Sequence, residues 1–121
     1  MSCLDLITNW ANKAPGRRNS HRTLTYKEVN ILSNLRLIDI GAHTASHPVL
    51  SNMPINDQET EIISGRKTLE EVIGHPINLF AYPYGDRGSY TNETIEILKQ
   101  NAFKGAVTTL NGSIDKSSHL F

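Results

Sequence analysis

The chain has 121 residues, enough for one hydrophobic core but too few for two ordinary domains. Lys plus Arg and Asp plus Glu each total 12, so the formal net charge is zero, and with no basic block nucleic acid is not expected as the main partner. No apolar run is long enough for a transmembrane segment, residues 1–5 lack the basic start of a signal peptide, and the single cysteine, Cys3, excludes an internal disulfide and a thiolate zinc site.

Residues 4–12 place Leu4, Ile7 and Ala11 on one face of a short amphipathic helix, with Trp10 as a packing residue. Residues 13–22 are rich in Pro, Gly, Arg, Asn and Ser and read as an exposed loop, so residues 1–23 form a helix-and-loop lead-in. Thr25-Tyr26-Lys27-Glu28 matches a capping box and predicts a helix from about Tyr26 to Ser33, with Val29 and Leu32 inward. Residues 35–42 follow as the first clear strand. After a loop over residues 48–54, Asn56 or Asp57 should cap the longest helix, running through Ile62, Ile63, Leu69, Val72 and Ile73 to a stop at Gly74. Gly65 weakens that helix slightly. Residues 78–82 give a second strand, 91–102 a helix with Ile95, Leu98 and Ala102 inward, and 105–110 a third strand. Residues 111–121 are a polar tail in which nothing marks a closing element.

Helices and strands alternating at this spacing predict an α/β fold with about three parallel strands and right-handed crossovers. Three parallel strands leave two open edges and incompletely covered faces, so self-association through the uncovered edges is expected.

The chemistry concentrates where strands end. Leu37-Ile38-Asp39-Ile40-Gly41 leads into His43 and His47, four residues apart. Imidazole is the commonest neutral metal ligand, and catalytic zinc takes three protein donors at about 2.0–2.2 Å plus a water whose pKa falls to about 7. Two surface histidines sharing one loop would give the same pattern, and Thr44 stands where a metalloprotease helix would need glutamate. The second strand runs into Phe80-Ala81-Tyr82-Pro83-Tyr84-Gly85, where a backbone N–H could face a reacting oxygen, or where an ordinary turn could pack two tyrosines. His75 and His21 read as exposed or structural, Tyr82 as packing, and Asp86 as a turn cap more than a groove residue.

Taken together, Gly-Ala-His-Thr-x-x-His-Pro, a helix of about twenty residues and Phe-Ala-Tyr-Pro-Tyr-Gly resemble the polysaccharide deacetylase family, the nodulation-type chitooligosaccharide deacetylase homology domain, over residues 24–110. The resemblance implies that His43 and His47 are ligands of a divalent metal, usually zinc, and that the Thr44 hydroxyl braces the loop between them. It implies that Tyr84 supplies a backbone oxyanion donor beside Pro83 and Gly85. In that family a metal-activated water attacks an acetyl group on a sugar, an aspartate acts as base, and a later histidine protonates the leaving amine. The implied fold is a distorted (β/α) barrel of about seven units.

This sequence departs from the family at three points. No Asp-Asp pair is present to supply the base and the third metal ligand; Asp5 falls in a predicted helix and Asp39 inside a strand. No strand precedes His119, which reads as a tail residue rather than the general acid. Ala81 stands where an arginine is common. The expectation is therefore a single partial domain over residues 1–121, truncated at both ends, from an enzyme that deacetylates an N- or O-acetylated glycan, with this chain inactive alone. The alternative is a non-catalytic carbohydrate- or protein-binding module of the same fold. Bacterial cell-envelope, extracellular and cytoplasmic settings are all compatible.

Overall fold

In the computed structural model, which describes residues 22–121, the first helix begins where Thr25 and Glu28 satisfy each other's free donors. The Thr25 hydroxyl accepts from the Glu28 amide at 3.3 Å, and the Glu28 carboxylate accepts from the Thr25 amide at 2.8 Å. This helix, α1, spans Tyr26–Ser33 as the capping box predicts, and Val29 packs against the core. The helix expected at residues 4–12 with Trp10, the loop to His21, Cys3 and Asp5 lie outside the described residues.

Helix α2 spans Ile55–Ile73 and sets the position of everything that follows. Its cap differs from the expected Asn56 or Asp57: Pro54 occupies the N-cap position, and its carbonyl accepts from the Asp57 and Gln58 amides at 3.0 Å. Proline fixes the entry angle, while Asp57 falls inside the first turn, where a negative charge suits the helix dipole. Gly74 ends the helix at φ 78°, a left-handed stop that glycine adopts without steric cost. Ile62 and Ile73 are buried, and Ile63, Leu69 and Val72 lie half-covered beside them, so the predicted inner face is the observed one.

Two short parallel strands, β1 at Leu79–Ala81 and β2 at Gly105–Val107, pair in the register Leu79 with Gly105, Phe80 with Ala106 and Ala81 with Val107. Between them α3 spans Asn92–Gln100, capped by Thr91 and Thr94. The α/β class and the parallel pairing therefore hold, but the first expected strand does not form as a strand. Residues 35–42 reduce to an isolated parallel bridge, in which Ala42 donates to the Leu79 carbonyl and accepts from the Ala81 amide, each at 2.9 Å. Leu37 is 93 % exposed and Leu35 and Ile38 are exposed beside it, so of the apolar run only Ile40 and Ala42 reach the core. The third expected strand stops at Val107 instead of Leu110.

On one face of the sheet Phe80 packs with Phe103 and Tyr82 against the helices; on the other Leu79 and Val107 are exposed. The expected inner face of α3 also needs correction, because Ala102 is exposed at the helix end while Ile97 is buried. The tail after Asn111 is less detached than its polarity suggests: the Ala106 amide donates to the Leu120 carbonyl at 2.7 Å, and Phe121 packs against the core. No helix among the described residues is long and apolar enough to cross a membrane.

One polar contact ties α2 to α3 inside the core. Thr94, fully buried, donates to Gln58 at 2.6 Å, and Gln58 donates in turn to the Met53 carbonyl at 3.0 Å. Thr94→Val would keep the volume but leave the Gln58 oxygen unpaired, a loss of about 1–3 kcal/mol. Urea denaturation should show that loss as a lower midpoint at unchanged slope.

Candidate functional site

The loop from Ala42 to His47 starts at the isolated bridge beside β1 and is held from two sides. From the strand side, His43 Nδ1 lies 2.8 Å from the Ala81 carbonyl. A carbonyl only accepts, so Nδ1 carries the proton and a neutral ring keeps its lone pair on Nε2. The same Ala81 donates its amide to Ala42, so one residue of β1 fixes both the backbone and the imidazole of the loop.

From the helix side, α2 presents Glu61 and Gly65, one turn apart on the same strip. The Glu61 carboxylate accepts from the Ala45 amide at 3.1 Å, the Ser46 amide at 2.8 Å and the Ser46 hydroxyl at 2.8 Å. Burial alone would push this carboxyl up, but the Ser46 amide and hydroxyl and the Ala45 amide outweigh it and hold it below its ordinary value. At Gly65 the backbones almost touch: a Cβ there would overlap the Thr44 carbonyl and stand 2.8 Å from the Ala45 nitrogen. Sequence reasoning missed both residues, and it treated Gly65 only as a weak point in the helix. A glycine costing up to about 1 kcal/mol in mid-helix is itself the signal that another backbone passes close by.

Inside the loop the Thr44 hydroxyl accepts from the His47 amide at 3.1 Å. Thr44 and His47 both take left-handed backbone conformations, at φ 64° and 59°. Each costs of order 1–3 kcal/mol for a residue with a side chain, so the surrounding contacts must fix the loop strongly. The outcome is an edge-on imidazole pair, with the His43 and His47 ring centres 4.7 Å apart and both residues exposed.

Tyr84 completes the cluster, its ring 4.9 Å from His47. It is the centre of a three-residue turn in which the Gly85 amide donates to the Pro83 carbonyl at 2.8 Å, with Tyr84 itself at φ 64°. Thr109 fastens this turn from β2's continuation, donating its hydroxyl to Tyr84 at 2.7 Å and its amide to Gly85 at 3.1 Å. Gly85 is at φ 68°, and a Cβ there would lie 2.7 Å from the Thr109 nitrogen. The Tyr84 amide has no hydrogen-bond partner among the described residues.

The remaining candidates lie outside the cluster or serve the fold. Tyr82 is buried and stacks on Tyr90 at 3.9 Å; its hydroxyl is unpartnered among the described residues, and burial beside Tyr90 pushes the phenol up. The Asp86 carboxylate accepts from the Gly88 amide at 2.8 Å and so shapes its own turn. Asp39 and His75 line a separate cavity of about 310 Å³ with Lys104, and His119 lines another with Lys99 and Phe121. Among the described residues no group of three or more His, Cys, Asp or Glu side chains could hold a metal ion.

The polysaccharide deacetylase family model matches residues 6–106. Among solved structures the chain is similar to the Streptococcus pyogenes deacetylase PplD in complex with acetate, at 26% sequence identity and a TM-score of 0.68. That alignment covers 78% of this chain and 40% of that one, so the chain spans less than half the length of the structure it matches. No curated protein matches it.

The close approach at residue 65 can be tested directly. Gly65→Ala gains up to about 1 kcal/mol of helix propensity, but overpacking against fixed backbone costs typically 1–3 kcal/mol. The net expectation is a less stable chain in thermal unfolding, with amide shifts in the NMR spectrum concentrated at residues 43–47.

Proposed function

The chain belongs to the polysaccharide deacetylase family, and on that premise we propose that it carries part of the site of a hydrolase that removes acetyl groups from an N- or O-acetylated glycan. The parallel pair, with Ala42 bridged to its other side, is one sector of a distorted (β/α) barrel in this proposal.

His43 and His47 carry the assignment. Two imidazoles sit side by side, one already oriented by a backbone carbonyl, which is the usual support of a metal-binding imidazole. Their chemistry fits two positions of a divalent zinc site. When bound, the metal would supply Lewis acidity, lowering the pKa of water and polarising the acetyl carbonyl. The Tyr84 amide is the available donor for negative charge developing on that carbonyl oxygen, because the Gly85 amide is already committed to Pro83. The exposed Tyr84 ring, packed on His47, would flank the sugar.

Among the described residues no general base or third ligand stands with the two histidines. The sequence has no Asp-Asp pair, and Asp39 lines a cavity that includes neither His43 nor His47. In this proposal those groups come from polypeptide beyond the described residues, continuous with the chain or separate from it. The same deficit favours the second reading, a glycan- or protein-binding module that keeps the fold without the chemistry.

The two readings separate by experiment. Zinc should bind the 121-residue chain weakly, and His43→Ala or His47→Ala should each weaken it by at least about tenfold. Acetylated chitooligosaccharides should release no acetate; robust turnover would overturn the inactivity. Glycan binding that survives both histidine substitutions and needs no metal would favour the binding module. The exposed Leu79 and Val107 on the open sheet face are expected to drive self-association, and a strictly monomeric chain in sedimentation velocity would contradict this.

A further inference from the structure

We propose that Glu61 is a positioning residue whose carboxylate holds His43 and His47 at the spacing a metal needs. The proposal rests on the metal-binding reading above for its purpose, but not for its geometry.

The loop between the histidines turns its backbone donors toward α2. With Thr44 in the left-handed region, the consecutive amides of Ala45 and Ser46 converge on one point, a concave arrangement that attracts an anion. Glu61 fills that point from the helix, accepting both amides and the Ser46 hydroxyl. Hydrogen bonds to a carboxylate are roughly twice as strong as neutral ones, and three converge here on one group. Ser46 directly precedes His47, so fixing its amide and hydroxyl fixes the peptide from which the second imidazole projects. The first imidazole is fixed independently by Ala81. Without Glu61 nothing described ties residues 45 and 46 to the helix except the contact at Gly65, which limits approach but supplies no attraction. Two left-handed residues would then be free to relax, and the 4.7 Å ring separation with them.

Glu61 touches neither histidine, so its effect must pass through the loop. Three variants of the full 121-residue chain separate position from charge. Glu61→Ala removes the acceptor, Glu61→Asp keeps the charge but shortens the reach, and Glu61→Gln keeps the reach and one acceptor oxygen. NMR without metal should show the Ala45 and Ser46 amides shifted downfield in the parent chain, with contacts between the His43, His47 and Tyr84 rings. Glu61→Ala and Glu61→Asp should lose both signals while the Phe80–Phe103 contact persists, and Glu61→Gln should retain the ring contacts. In a zinc titration Glu61→Ala should weaken binding at least about tenfold, the usual range for a supporting residue, and Glu61→Gln should restore most of it.

Unchanged loop signals in both Glu61→Ala and Glu61→Asp would overturn the proposal. If Glu61→Ala does not fold, Glu61→Asp decides alone. If the parent chain takes no zinc, the metal-binding reading fails, while the metal-free loop signals still decide the role of Glu61.

Discussion

The Thr44–Ala45 peptide lies against α2 at Gly65 with no space for a side chain, and the histidine loop depends on that contact. A helix and a loop this close share their backbones' positions, so any shift of α2 is passed to the loop undiminished. The helix itself is anchored beside that strip by Ile62, which is fully buried, and by Gln58 bonded to Thr94. Glu61 adds attraction where Gly65 sets distance. The imidazole pair is therefore held between two rigid elements, with β1 gripping His43 and α2 gripping the residues just before His47.

Strain has been placed where side chains are needed. Among the described residues four non-glycine residues have positive φ, and three of them, Thr44, His47 and Tyr84, belong to the cluster. Glycine would relieve each position but would remove the hydroxyl, the imidazole or the aromatic ring. Within the cluster the sequence uses glycine for such a conformation at Gly85, where Thr109 crowds the backbone. The bonds from Glu61, Thr109 and the Thr44 hydroxyl offset this strain locally, which is how sparsely populated conformations persist at a site.

Much of the fold was legible because its signals are local. Thr25 with Glu28, Thr91 at the start of α3 and Gly74 at the end of α2 mark helix ends by their own chemistry, whatever the tertiary context. Strands were less legible: residues 35–42 have the apolar content of a strand, but pairing depends on distant neighbours, and only Ala42 finds one. His43, His47 and Tyr84 could be picked out by type and spacing, and the structure brings their rings together. Glu61 and Gly65 could not be, since their meaning appears only once α2 is known to pack on the loop. The Ala106–Leu120 bond was equally hidden, because backbone groups carry no sequence signature.

Ala81 has two jobs toward one loop: its amide donates to the Ala42 carbonyl, and its carbonyl accepts a hydrogen bond from His43 Nδ1. Slipping β1 by one residue would turn Phe80 toward the open face and replace that carbonyl with one pointing away. Strand register and imidazole tautomer are thus a single variable. The chemical shifts of the His43 ring nitrogens become a reporter of sheet pairing, able to register a misfolded strand in a chain whose helices look intact.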